Sequence, residues 1–333
     1  MTVPTRTLGS EGLTVSALGL GCMGMSQSYG PADETESTAT LLRAVERGIT
    51  LYDTANAYGL GHNEQLVGRV LAGHRDEVAL ATKFGIAGIR DGRMTIDGSP
   101  AYAKKCCDES LQRLGIETID LYYLHRVDKS VPIEETIGAM AEMIKAGYIK
   151  HIGLSEVGSE TIRRAHAVHP IADLQIEYSL VSRGIESDIL KTCRELGIGI
   201  TAYGVLSRGL ISGHWSKDRA TAQDFRGRSP RFQGENLDRN LELVDSLRAI
   251  AGDLGATPAQ VAIAWVAAQG NDIVPLIGAR RRERLTEALG ALDVKLTNAH
   301  LAALAKAFPP GVASGNRYPD AQLVHMDSEK RAS

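Results

Sequence analysis

Eight short runs of β-forming, almost continuously apolar residues recur along the chain, at 15–21, 49–55, 77–85, 119–125, 149–155, 172–178, 197–203 and 272–278. Without strict alternation, such runs read as parallel strands buried on both faces. Helical patterns separate them. Residues 34–48 open with Thr and Ser, place Leu41, Leu42 and Val45 on an apolar face and stop at Gly48. The segments 63–73, 99–115, 132–147 and 187–197 also end at or near glycine, as C-capped helices do. Eight strand–helix units in roughly 290 residues favour a closed (β/α)8 TIM barrel over an open sheet. The Gly-x-Gly-x-x-Gly at 19–24 overlaps the end of the first run and leads into SQSYGPADE rather than opening a helix, which argues against a doubly wound dinucleotide fold. One barrel domain is expected over 1–333, with a polar, loosely packed tail from about 309 to 333.

Charge and cysteine content narrow the partners. Lys+Arg total 37 against 40 Asp+Glu, a net charge of -3, which gives no footprint for nucleic acid or an anionic membrane. No run reaches the roughly 18 apolar residues a spanning helix needs. Cys22, Cys106, Cys107 and Cys193 have no metal-type spacing, so reduced thiols in a cytoplasmic protein are expected, with no metal. Whether the chain is a monomer or a homo-oligomer is not encoded in these patterns. The segment 207–236 is rich in Gly, Ser and Arg and too long for an ordinary barrel connection. It reads as a functional loop that orders on ligand binding.

In a barrel, reactive groups gather where strands end. The second run then delivers Asp53, with Tyr58 just beyond it, the third Lys83 and the fourth His125. A free phenol, with a pKa near 10, is a poor donor at neutral pH. An ammonium beside it would lower that value, and a carboxylate would hold the ammonium. Imidazole can orient a carbonyl oxygen. Together the four describe a general acid for carbonyl reduction, and the missing hydride implies a nicotinamide cofactor.

The stretches YDTANAYGLGHNEQLVG, LATKFG, IDLYYLHRVD, IGLSE, QIEYSL and ITAYGVLSRGLISG occur in the order found in aldo-keto reductases. Over roughly residues 5–308 the chain resembles that family, and within it the bacterial, plant and fungal branch related to potassium-channel β subunits. The resemblance implies a barrel with an N-terminal β-hairpin and a long loop after the seventh strand. Asp53, Tyr58, Lys83 and His125 match the catalytic positions. Tyr is the acid there, assisted by Lys and Asp, and His positions the substrate.

The resemblance also implies NADPH/NADP+ as cofactor. Ser155 and Gln175 would hydrogen-bond the carboxamide and Tyr203 would stack on the ring. Leu206, Arg208 and Gly209 would lie at the pyrophosphate, and Gly278 would also contact the cofactor. Arg280 and Arg284 would meet the 2′-phosphate and Glu287 the adenine. Arginines crowding a helix start oppose its dipole, which fits phosphate recognition. Glu156, Ala288 and Gly204-Val205 depart from common family residues. Met25, Tyr29, Phe84 and Arg126 are substrate candidates, with Trp215 and Phe225 closing over from the long loop. The expected partner is a small-molecule carbonyl compound. The rival reading is an NADPH-binding, redox-sensing partner protein with little turnover, as in channel β subunits. A Schiff-base barrel enzyme built on Lys83 is a further alternative.

Overall fold

The computed structural model describes residues 3–10, 12–26, 28–90, 93–216 and 224–329. Strands β1 (Thr5–Leu8) and β2 (Leu13–Ser16) form an antiparallel hairpin. The barrel strands are β3 (Gly19–Gly21), β4 (Leu51–Asp53), β5 (Ala79–Phe84), β8 (Ile119–Leu124), β9 (Ile149–Ser155), β10 (Asp173–Glu177), β11 (Gly199–Tyr203) and β12 (Ile273–Gly278). They close in the order β3-β4-β5-β8-β9-β10-β11-β12, every pair parallel. A second hairpin, β6 (Ile86–Arg90) and β7 (Arg93–Ile96), follows β5. The eight-fold barrel expected from the apolar runs is the fold observed.

The helices are α1 (Glu34–Glu46), α2 (His62–Leu71), α3 (Pro100–Leu114), α4 (Ile133–Lys145), α5 (Ser159–Val168), α6 (Ile189–Leu196), α7 (Gly234–Asp253), α8 (Pro258–Ala267), α9 (Arg282–Leu289), α10 (Asn298–Ala307) and α11 (Asp320–Leu323). Their starts follow local chemistry. Asp33 and Ser99 cap α1 and α3 by accepting backbone N–H groups, and Thr257 with Gln260 forms a capping box on α8. Between barrel and helices lies the main apolar core, including Leu41, Leu66, Phe84, Tyr122, Met140, Ile162 and Ile263.

The first apolar run splits in a way the sequence reading did not foresee. Only its last three residues enter the barrel, because Ser16 exchanges hydrogen bonds with Thr50 and turns the chain before β3. The hairpin then covers the N-terminal end of the barrel. Arg6 donates to the carbonyls of Ala267, Gly270 and Ile273, and Leu8 and Val15 pack with Leu51, Leu121, Ala172 and Val274 inside. Tyr123 crosses this interior and its OH donates to Asp173 at 2.6 Å. Gly153 permits the crossing, since a Cβ there would sit 2.4 Å from the Tyr123 ring.

At the opposite end, register fixes the layout. Asp53 lies beside Gly21 and Ala81, Lys83 beside Tyr123, Gln175 beside Ser155 and Glu177 beside Tyr203. Side chains alternate in and out along strands, so Asp53, Lys83, Ser155, Gln175 and Tyr203 share one rim. Part of the long loop after β11, residues 217–223, lies outside the described residues.

The tail differs from the loose packing expected of it. Lys129 donates to the Val324 carbonyl, Asn240 bonds Ser314, and Met326 and Asp327 are buried. Residues 309–329 therefore return across the rim.

Candidate active site

Lys83 is fully buried, and its ammonium donates to Asp53 Oδ1 at 2.6 Å and to the Thr54 carbonyl at 2.8 Å. The Tyr58 hydroxyl is 3.4 Å from the same Nζ, and the His125 ring meets the Tyr58 ring edge-on with centroids 5.8 Å apart. The Asp53–Tyr58 connection is held against β5. Thr54 and Asn56 donate backbone N–H groups to Ala81 and Lys83, and Tyr58 closes a turn onto Ala55. Gly59, Leu60 and Gly61 then take left-handed backbone conformations, turning the chain into α2. Leu60 is almost wholly exposed, while Tyr58 is buried. The four residues named from sequence therefore meet.

Their protonation differs from the simplest expectation in one respect. Burial, reinforced by Asp53, pushes the Tyr58 phenol well above its ordinary value, while Arg126 pulls against this. The neighbouring ammonium does not offset this rise, because burial dominates and Lys83 is held on Asp53. Burial also lowers Lys83 from its ordinary value, with Asp53 opposing. Burial, then Arg126 and Lys83, push His125 well below 6.5. At neutral pH the site holds a protonated phenol and a neutral imidazole.

A pH profile follows from these directions. If neutral His125 orients the substrate, its loss on protonation comes only as pH falls through a value well below 6.5. If Tyr58 is the proton donor, its loss on ionisation is delayed beyond pH 10. The kcat/KM for carbonyl reduction is expected to show no acid limb down to about pH 6 and no phenol limb below about 10. An acid midpoint near 6.5 would contradict this arrangement.

Gln175 Nε2 donates to Asp53 Oδ2 at 2.8 Å. A carboxylate only accepts, so this bond fixes the amide orientation and leaves Gln175 Oε1 as the acceptor for a ligand N–H. Ser155 Oγ lies 3.3 Å from Arg126 Nη1. Tyr203 donates its hydroxyl to Glu156 at 2.7 Å and lies 3.0 Å from the Tyr318 hydroxyl.

Glu156 has φ +57, a left-handed backbone rarely taken by such a residue. It is fully buried, and burial alone would raise its carboxyl. Arg317 outweighs that by charge and hydrogen bonds and carries it down to about 2. Arg317 also reaches Glu177 at 3.3 Å. Sequence reading missed Arg317, Tyr318 and Glu177. Their signal was a cation–aromatic pair, RYP, within a polar tail, and the Glu of QIEYSL.

Arg208 folds inward onto Glu177 at 3.0 Å, stacks 4.1 Å over Tyr318 and is 5% exposed in its side chain. Its Nη1 is buried with no hydrogen-bond partner among the described residues. Such an orphaned donor fits a phosphate that is not part of this structure. Ser207, Arg208 and Gly209 all have positive φ, with Leu206 packed against the core. Gly278 ends β12 with open space where a side chain would begin. Arg280 is partly buried, donates to the Pro31 carbonyl at 3.2 Å, and has no ion pair among the described residues. It lines a groove of about 1220 Å³ with Pro31, Glu36, Arg43 and Arg281. Arg284 and His214 both bond Glu287, at 2.9 Å each.

The substrate candidates divide. Tyr29 forms a bridge to Asp224 with Arg226 over its ring, and Phe225 donates its N–H to Ser28, so the loop after residue 223 crosses the rim. Phe225 approaches Tyr318, with centroids 6.2 Å apart. Phe84 is corrected: it points away from the site, fully buried and stacked on Tyr122 at 5.0 Å. Alternation explains this, because Lys83 takes the inward position. Met25 is likewise buried in the main core. Trp215 is buried edge-on against Phe232, and Arg226 lies over both its ring and that of Tyr29.

Such a rim on a closed barrel defines the class as a (β/α)8 barrel with a buried ammonium–carboxylate–phenol cluster at its C-terminal mouth. Residues 17–308 match the family model described as "Aldo/keto reductase family", and the chain belongs to that family of oxidoreductases. It is 46% identical over 313 residues to "Probable aldo-keto reductase 1" of Glycine max, covering 93% of this chain and 90% of that protein. Among solved structures it is similar to a glycerol dehydrogenase from Gluconobacter oxydans, with TM-score 0.83 and 31% identity over 92% of this chain and 95% of the other. It is also similar to a thermostable aldo-keto reductase in complex with the inhibitor epalrestat, with TM-score 0.74 and 27% identity, covering 91% and 99%. No helix among the described residues is long and apolar enough to cross a membrane.

Proposed function

We propose that the chain reduces an aldehyde or ketone to an alcohol with NADPH, as a cytoplasmic enzyme. The observation that carries this reading is Lys83 Nζ, fixed 2.6 Å from Asp53 and 3.4 Å from the Tyr58 hydroxyl beside His125. Tyr58 donates its proton to the carbonyl oxygen as negative charge develops there. The Lys83 ammonium and the Arg126 guanidinium stabilise the phenolate left behind. Neutral His125 hydrogen-bonds the same oxygen and orients it. Asp53 holds Lys83 through one oxygen and Gln175 through the other.

When bound, the nicotinamide cofactor supplies the hydride. The residues that would hold it are Ser155 and Gln175 at the carboxamide and Tyr203 at the ring. Leu206, Arg208, Gly209 and Gly278 would hold the pyrophosphate region, and Arg280, Arg284 and Glu287 the adenosine end. Among the described residues Arg208 Nη1 has no hydrogen-bond partner and Arg280 no ion pair, which supports an anionic ligand along this path.

A panel of aldehydes and ketones assayed for NADPH and NADH oxidation tests the reading. Turnover of several carbonyls with NADPH supports it, and tight NADPH binding with negligible turnover across the panel would favour a redox-sensing partner instead. In the same assay Arg280→Ala is expected to raise the KM for NADPH about tenfold or more, the worth of a charge-assisted bond. The KM for NADH should stay within about twofold, because no 2′-phosphate is present. Equal losses with both cofactors would contradict the phosphate assignment.

A further inference from the structure

Arg126 follows His125 at the end of β8 and is 7% exposed. Its Nη1 donates to the His125 carbonyl at 2.6 Å and to Ser155 Oγ at 3.3 Å. Among the described residues, its Nε and Nη2 have no hydrogen bond, and no carboxylate lies within the 4.0 Å of an ion pair. Neighbouring charges at this rim are paired: Lys83 with Asp53, Arg208 with Glu177 and Arg317 with Glu156. His325 of the tail also faces Arg126. Burial, Lys129 and Arg126 hold that imidazole toward its neutral form, so it adds no counter-charge. The guanidinium acts on both Tyr58 and His125, which places its charge beside the reacting oxygen.

We propose that Arg126 is a specificity-determining residue, and that the preferred carbonyl substrates carry a carboxylate that its Nε–Nη2 edge receives. This rests on the carbonyl-reduction reading above and names the substrate class. Nε and Nη2 lie on one edge of the planar guanidinium and present two parallel N–H groups, the geometry a carboxylate accepts in two-pronged fashion. Glu156 feels the Arg126 charge but is bonded to Arg317. The buried guanidinium therefore has no carboxylate at contact distance among the described residues, and a neutral substrate leaves the cost of that burial in place. A carboxylate-bearing substrate removes it while its carbonyl oxygen meets Tyr58 and His125. Lysine would keep the charge but lose the fork.

Three pairs test this: glyoxylate, 4-oxobutanoate and 4-formylbenzoate, each against its methyl ester. The wild-type enzyme is expected to favour the acid over the ester at least tenfold in kcat/KM for one or more pairs, mainly through KM. Arg126→Gln should shrink that ratio at least tenfold, and Arg126→Lys should restore it only in part. Benzoate binding to the wild-type protein and to Arg126→Gln, measured by calorimetry without cofactor, reads the anion site independently of turnover. Thermal melts of both variants establish that they fold.

An unchanged acid-to-ester ratio in Arg126→Gln would overturn the proposal, as would a wild-type enzyme indifferent to the carboxylate in all pairs. Should no acid or ester be reduced, the carbonyl-reduction reading fails. The proposal then also falls unless benzoate binding is lost in Arg126→Gln, which would sustain the anion site.

Discussion

Replacing Lys83 with methionine is expected to cost about 3–5 kcal/mol of stability and at least about 100-fold in turnover. The stability loss arises because Asp53, only 3% exposed, is left without the ammonium 2.6 Å away. The turnover loss arises because the phenolate left after proton donation has lost its nearest cation. Adding Asp53→Asn separates the two effects. Asparagine still offers an oxygen to Gln175 Nε2 and carries no charge, so Lys83→Met/Asp53→Asn should recover most of the stability and none of the turnover. Urea unfolding and steady-state kinetics on the wild-type protein and the two variants make the comparison. A single variant as stable as the wild-type protein would show that the pair is not buried as described, and a double variant with restored turnover would remove Lys83 from the chemistry.

The barrel was legible because parallel strands buried on both faces leave uninterrupted apolar runs, and each of the eight runs supplies a barrel strand. The convergence of Asp53, Lys83 and His125 was legible for the same reason, since strand ends share one mouth. What the runs could not show was where a strand begins. The run at 15–21 divides at Ser16, whose hydrogen bonds to Thr50 join residues 34 positions apart. Phe84 was misread because the strand end was located correctly but its inward face was not counted from Lys83.

The tail was the largest omission. Its polar composition hid Arg317 and Tyr318, whose partners Glu156, Glu177, Tyr203 and Arg208 lie more than 100 residues away in sequence. Buried ion pairs of that span have no local period to betray them. The direction of the Tyr58 shift was missed for a related reason. Sequence shows that a lysine is near the phenol, but only geometry shows that Asp53 has claimed it and that burial dominates.

Tyr58→Phe tests the central claim most directly. The substitution removes one hydroxyl and keeps a ring able to meet His125 edge-on. Lys83 retains Asp53 and Thr54 and gives up only the long contact of 3.4 Å. Folding and NADPH affinity should therefore hold, with the Kd for NADPH within about twofold of wild type. Turnover should fall about 10²- to 10⁴-fold, the usual worth of a positioned general acid. The decisive measurement is kcat for an aldehyde the wild-type enzyme reduces, taken at saturating NADPH with the Kd measured on the same preparation. A collapse in kcat with intact NADPH binding is the predicted result; a Tyr58→Phe enzyme that turns over at the wild-type rate would contradict the account.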